Sequence, residues 1–287
     1  MSRVVLIFEH TRLDLEVSKE GTKDSVSRKY EKAIFESGLL APDKTYKAEL
    51  ARVRRCIMGC GQSVVECLRN EVQSFVFRDD DMVVILGDDG AFVNTAKLLQ
   101  NQRVITIATS TKCCSRLMKF TAETFEKSAV NLFAGKSAVV GVSLTRAQTS
   151  LGHTLEAVND LFVGRADLRS SRYAVLVGSN FVEQVSSGVI VSTGTGSTGW
   201  EKSACALDSE YRERDLDDPT VTVVTRELCQ GESLGVMRRI KKVTFRSNDN
   251  DTRIIGDGVL VDASMLLLPA GATVTITSNV RAVRLCI

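Results

Sequence analysis

The sequence predicts an α/β N-terminal domain with a parallel sheet, followed by a β-rich C-terminal domain. Two stretches carry that expectation. Asp81–Leu86 is a continuous apolar run that passes through Gly87-Asp88-Asp89-Gly90 into a helical stretch, Ala91–Asn101, and on to a second β-branched run, Arg103–Ile107. A β-loop-α-β succession of this kind builds a parallel sheet with helices on its faces. From about Ser137 the texture changes to short β-branched runs with little helix between them, the pattern of a β-rich domain. The chain has 287 residues, room for two cores of roughly 100–200 residues each.

In chain order, Arg3–Phe8 is a short apolar run and predicts a buried strand. Two polar, helical stretches follow. In the second, Leu50, Val53, Ile57, Cys60, Val64 and Leu68 recur at steps of three and four, which predicts one amphipathic helix with Cys60 as a core residue on its buried stripe. Another helix is expected around Thr121–Phe133. In the second half one helix interrupts the strands, beginning near Gly196 and carrying Ser197–Ala206. The most charged stretch, Ser209–Pro219, reads as a solvated loop or short exposed helix. The expected division is 1–121 for the α/β domain and 122–278 for the β-rich domain, with the last residues, about 279–287, free to return to the first.

Composition mostly excludes. Lys and Arg total 37 against 35 Asp and Glu, a balance that argues against a nucleic-acid surface. Only two histidines, His10 and His153, are present, too few for a His-rich metal site. The cysteines are Cys56, Cys60, Cys67, Cys113, Cys114, Cys205, Cys229 and Cys286, with no C-x-x-C pair, so the usual zinc spacing is absent. The opening MSRVVLIFEH lacks the features of a secretory signal, so the cysteines are expected to be reduced thiols in a cytoplasmic protein. A mitochondrial location fits if a transit peptide has been removed. No stretch approaches 18 apolar residues, so no membrane span is expected.

Three loops can carry chemistry. Gly87–Gly90 sits where a parallel strand ends and a helix begins, the usual ligand edge of an α/β sheet. Helix N–H groups there suit phosphate, and Asp89 is placed to take a proton or hold Mg²⁺. The plainer reading makes one Asp the helix N-cap. Ser192–Trp200 (STGTGSTGW) combines glycines with hydroxyls. It matches G-x-G-x-x-G, but the βαβ unit that fingerprint needs does not follow. Asn159-Asp160 interrupts an apolar run, where they either end a strand or face a ligand's hydroxyls. Gly135-Lys136-Ser137 is not a P-loop, because Val130 stands at the first glycine. His153 has no G-x-S-x-G partner.

The order of these loops, with Asp257-Gly258 after them, resembles the NAD kinase family. Its members carry a GGDG-T loop, an N-E/D pair and a loop usually reading S-T-P-T-G-S-T-A-Y. The likeness extends through Val259–Leu285. Thr11–Glu16, the T-G-T-G-S variant ending in Trp200, and Ser170–Gly188 look most like the mitochondrial-type branch and its bacterial relatives. The resemblance implies a Rossmann-like sheet in an NAD kinase-like two-domain architecture. It implies transfer of a phosphate from ATP to the adenosine 2′-hydroxyl of NAD, with Mg²⁺ or another divalent cation, by a homodimer. Asp89 would be the general base or orienting acid, and Gly87 and Gly90 would admit the nucleotide beside Asp88. Asn159 and Asp160 would bind adenine and ribose. Ser187, Thr193, Thr195, Gly196 and Ser197 belong to the nucleotide-binding set. Thr198, Gly199, Trp200 and Ser203 would line the adenine or nicotinamide part.

Three residues and one short segment depart from the pattern. Asp88 replaces the second glycine, a cost if that position needs a positive φ. Ala91 replaces the usual threonine, Ser187 an aspartate, and Ala108–Ser110 a GVN-type segment. The alternatives are therefore a weakly active or non-catalytic NAD(P)(H)-binding protein of the same fold, and a lipid kinase of the diacylglycerol/sphingosine type. Neither a membrane nor a nucleic acid is an expected partner.

Overall fold

The computed structural model describes residues 3–109, 116–167, 169–178, 180–259 and 264–287. Cys113, Cys114 and Ser110 lie outside them. The chain divides into two compact units, Met1–Val140 with Arg284–Ile287, and Gly141–Val283.

The first unit begins with β1 (Arg3–Phe8), followed by α1 (Arg12–Glu20), α2 (Lys23–Lys29) and α3 (Lys32–Phe35). A π-helical turn, Glu36–Leu40, joins α3 to α4 (Ala41–Gly59). Then come β2 (Ser63–Leu68), β3 (Met82–Gly87), α5 (Asp89–Ala96), β4 (Arg103–Ala108), β5 (Phe120–Thr121) and α6 (Ala122–Phe133). Strands β2, β1, β3 and β4 lie side by side and all parallel. One face of this sheet, Val4, Leu6, Val84, Leu86, Ile105 and Ile107, packs on Leu50, Val53 and Ile57 of α4 and Phe125, Ala129 and Leu132 of α6. The alternate residues Val5, Ile7, Val83 and Ile85 are equally buried. That is why these strands read as unbroken apolar runs.

Two expectations change here. The predicted helix over Leu50–Leu68 stops at Gly59, and Val64 and Leu68 stand on β2. Gly61, at φ +73°, turns the chain between them. Cys60 caps the helix end and packs, half-buried, at the margin of the core. The first unit also extends past residue 121, because the apolar face of α6 completes its core.

The second unit contains β6 (Val139–Thr149), β7 (Thr154–Ala157), β8 (Asp160–Arg165), β9 (Ser171–Val177), β10 (Asn180–Ser186) and β11 (Val189–Ser192). After them come α7 (Trp200–Ala204), β12 (Val221–Thr225), β13 (Gln230–Gly231), β14 (Val236–Ile240), β15 (Lys242–Ser247), β16 (Thr252–Gly256), β17 (Met265–Leu268) and β18 (Thr273–Cys286). One sheet runs β13-β10-β9-β15-β18, and the other β14-β12-β11-β8-β16-β17. Tyr173, Val175, Val243, Phe245, Val274 and Ile276 of the first share a core with Leu161, Val163, Val189, Val191, Val223 and Ile254 of the second. The second sheet is apolar on its other face too. There Phe162, Ile190, Val224 and Ile255 are covered by Trp200, Cys205 and Tyr211. Strand alternation thus buries one face against a sheet and leaves the other as the floor of a loop system. The first residues of β18 pair with β15, and Arg284 and Leu285 pair in parallel with β4 of the first unit.

Candidate active site

In the first unit, Gly87-Asp88-Asp89-Gly90 forms the junction between β3 and α5. Asp88 is the N-cap: its Oδ1 accepts the Ala91 N–H at 2.9 Å. Its φ is −128°, so the expected strain of a positive φ does not arise. The charge that Asp88 adds is met by Arg69, whose Nη1 donates to Asp88 at 3.1 Å and to Glu9 at 2.9 Å. Asp89 occupies the first turn of α5. Its Oδ2 accepts the Arg116 N–H at 3.2 Å and its Oδ1 accepts the Leu117 N–H at 3.1 Å. These two donors fix the direction of the carboxylate. Lys119 stands near, its amine held below its ordinary pKa by burial first and by Arg116, against the opposing pull of Asp89. Ala91 is buried. Its methyl group fills the space a side chain at Gly87 would need, 3.1 Å from that position.

In the second unit, Asn159 and Asp160 lie where β7 ends and β8 begins. The Asn159 carbonyl accepts the Thr193 N–H at 2.9 Å, and Thr193 Oγ1 donates to the Val158 carbonyl at 2.5 Å. The Asp257 carboxylate accepts the Asn159 N–H at 2.7 Å and the Val158 N–H at 3.0 Å. The Asp257 N–H donates to the Asp160 carbonyl. Three segments far apart in sequence are thereby locked at one place. Gly196 is required for the approach, because a Cβ there would stand 2.1 Å from the Asn159 carbonyl oxygen.

The same loop is clamped from its other side. Arg214 Nη2 donates to the carbonyls of Ser192 (2.9 Å) and Thr193 (2.8 Å) and to Glu201 Oε2 (2.8 Å). Ser197 Oγ accepts the Arg214 N–H, and Tyr211 donates its hydroxyl to the Ser197 carbonyl at 2.5 Å. Ser209–Pro219 is indeed irregular and largely exposed, yet two of its side chains hold the glycine loop.

Asp160 is 5% exposed, and its Oδ1 finds no hydrogen-bond partner. Burial, then Asp257 and Glu201, push its carboxyl up to about 7. The Thr195 hydroxyl, also buried, likewise lacks a partner. Buried polar atoms of this kind are where a ligand's hydroxyls find company. Trp200 stacks on Phe162, centroids 5.5 Å apart, and carries the Arg226 guanidinium over its ring. Its ring is thus largely engaged by protein, whereas Ser203 and Gly199 are exposed and Thr198 and Ser187 are half-buried. The Ser187 N–H donates to the Arg226 carbonyl.

The expected residues thus form two groups, Gly87–Gly90 in one unit and Asn159–Asp160 with Ser192–Trp200 in the other. Sequence reasoning passed over Arg69, Lys119, Arg214 and the anchoring role of Asp257. Arg69 and Lys119 carry no motif. Asp257 had one signal, the Asp-Gly after a β-branched run. Among the described residues no three His, Cys, Asp or Glu side chains are grouped to hold a metal ion.

The fold of the chain is similar to those of two solved kinases. The yeast NADH kinase, solved with NADH, matches 99% of this chain and 83% of its own with a TM-score of 0.69 at 13% identity. The Archaeoglobus fulgidus NAD kinase, solved with ATP, matches 100% and 94% with a TM-score of 0.60 at 17% identity. These identities speak for the fold. In sequence, the chain is 29% identical to the NAD kinase of Clostridium tetani (strain Massachusetts / E88) over 129 residues, 43% of this chain and 47% of that relative. The match thus spans about half of the relative's length. No family model matches the chain. Fold and sequence together support the NAD kinase family.

Proposed function

We propose that this chain is an NAD kinase that transfers the terminal phosphate of ATP to the adenosine 2′-hydroxyl of NAD, giving NADP and ADP. The observation that carries the reading is Asp89, held on the first turn of α5 by the N–H groups of Arg116 and Leu117. A carboxylate oriented in this way accepts the hydroxyl proton as the 2′-oxygen bonds to the phosphorus and the bridging oxygen leaves with ADP. Asn159, Asp160 and Thr195 offer polar atoms to adenine and ribose in the second unit, and Thr193, Gly196 and Ser197 shape the loop that presents them. A divalent cation fits this chain as an ion brought by the donor's phosphates, since both Asp89 oxygens already accept N–H groups and no side-chain cage is present among the described residues. It would neutralise charge on the transferring group.

The test is NADP formation from NAD, ATP and Mg²⁺. Asp89→Asn should lower kcat by about 10²- to 10⁴-fold, the usual worth of a positioned base, with the NAD affinity kept. An active wild type and an equally active Asp89→Asn would sink the role of Asp89. No NADP with any nucleotide or polyphosphate would sink the kinase reading. A second reading, an NAD(P)(H)-binding protein without turnover, is favoured by the Arg69–Asp88 ion pair across the turn. It expects NADP to bind while turnover stays at background. We also propose a homodimer of the mitochondrial-type branch, active in the cytoplasm. Sedimentation at working concentration tests the assembly. No described helix is long and apolar enough to cross a membrane.

A further inference from the structure

Thr106 is a polar residue inside the apolar run of β4. It is fully buried and pairs with Ile85 of β3. Its side chain therefore stands on the sheet face of Val83, Ile85 and Val104, which are fully buried as well. A hydroxyl in such a layer costs stability unless its hydrogen bonds are made. The Thr106 hydroxyl donates to the Leu117 carbonyl at 2.7 Å and accepts the Lys119 N–H at 3.1 Å. One buried side chain thus grips the short segment Arg116–Lys119 twice.

The same segment carries the two N–H groups that hold Asp89. Arg116 donates to its Oδ2 at 3.2 Å and Leu117 to its Oδ1 at 3.1 Å. Leu117 stands between the two side chains, with its N–H on Asp89 and its carbonyl on Thr106. Lys119 closes the segment on itself, its Nζ donating to the Arg116 carbonyl at 2.9 Å. Leu117 and Met118 are buried, and the chain runs on into β5, paired with Ile107 and Ala108 of β4. Arg116–Lys119 belongs to no helix or strand, so hydrogen bonds to side chains hold it where a ladder would otherwise do so. A proton acceptor works only when it is aimed. A misplacement of about 1 Å can cost about 10²-fold in rate.

We propose that Thr106 is a positioning residue for the phosphoryl transfer: its hydroxyl holds Arg116–Lys119 as a strap, and the strap aims the Asp89 carboxylate. Thr106 is sealed beneath the strap and acts through Asp89 alone. The effect on turnover rests on the kinase reading; the strap itself does not.

The experiment combines turnover with amide exchange on the full chain. Thr106→Val keeps the branched shape and removes the hydroxyl. It should lower kcat for NADP formation by about tenfold or more and leave KM for NAD within about twofold. Thr106→Ser, which restores the hydroxyl, should recover most of the rate. In an Asp89→Asn chain, Thr106→Val should cost less than about twofold more, because a residue that acts only through Asp89 has nothing left to aim. The amides of Leu117 and Lys119 should exchange about tenfold faster in Thr106→Val, with Met82–Leu86 as protected as in the wild type. Where the valine variant does not fold, Thr106→Ala carries the same expectations. An unchanged kcat, losses that add in full in the double variant, or unchanged exchange at Leu117 and Lys119 overturns the proposal. The two readings fail separately. Loosened amides with no NADP from the wild type leave the strap and remove the kinase. NADP formed at an undiminished rate by Thr106→Val does the reverse.

Discussion

Asp160 shows how one side chain ties stability to pH. Its carboxyl is buried without a partner for Oδ1 and is raised to about 7 by that burial, with Asp257 and Glu201 adding to it. The folded chain thus holds a proton that the unfolded chain releases near the ordinary value of 3.8. Between those two values the folded state binds more protons. Its stability from this group therefore falls as pH rises from about 4 to about 7, and is flat above. Asp160→Asn removes the titration while keeping shape and hydrogen-bonding capacity. The variant should gain thermal stability relative to the wild type at pH 8 and show no gain near pH 4. A difference in melting temperature that does not change with pH would refute the raised value. Gly194 is a second residue whose identity is dictated by its neighbours. A Cβ there would stand 1.9 Å from the Asp215 carbonyl oxygen. The proline usual at this place in the resembled family cannot fit under the Ser209–Pro219 segment as it lies here.

At the scale of elements, the glycine loop is held by a segment that looks, in sequence, like mere solvated charge. Glu201 and Arg214 form a nearly buried ion pair, their side chains 4% and 14% exposed, and Arg214 also takes two carbonyls of the loop. Removing one member of such a pair leaves the other buried and unanswered, at about 3–5 kcal/mol. Arg214→Ala should therefore lower the unfolding free energy by that order, and more than Glu201→Gln/Arg214→Met together. If the single variant unfolds like the wild type in urea, the clamp carries no stability. This pairing also marks the limit of what the sequence revealed. The loops themselves were legible, because Gly-rich turns after apolar runs have a local cause. The partners of those loops were not. Arg214, Asp257 and Arg69 act across about 20 to 100 residues of chain, and no short window contains both ends. The same holds for Leu50–Leu68. The period of three and four continued by accident through Gly59–Gly61, and only the turn at Gly61 separates helix from strand.

At the scale of the whole molecule, the last strand serves two cores. Ile276, fully buried, pairs with Val243 of β15 in the second unit, and Leu285, fully buried, pairs with Val104 of β4 in the first. The two residues are nine positions apart on one element, yet Ile276 belongs to the second compact unit and Leu285 to the first. Truncating either to alanine removes a buried side chain and leaves a cavity, at about 2–5 kcal/mol. Local opening in a protein follows its cooperative units, not its strands. Leu285→Ala should therefore speed amide exchange in Arg103–Ala108 and leave Lys242–Ser247 close to wild type. Ile276→Ala should do the opposite, loosening Lys242–Ser247 and its neighbour Ser171–Val177 while Arg103–Ala108 stays protected. Measured by hydrogen exchange at the same pH and temperature, this crossed pattern is the signature of two units joined by a shared strand. Equal acceleration in all three strands by either substitution would mean that the two cores unfold together, and that the shared strand transmits rather than divides.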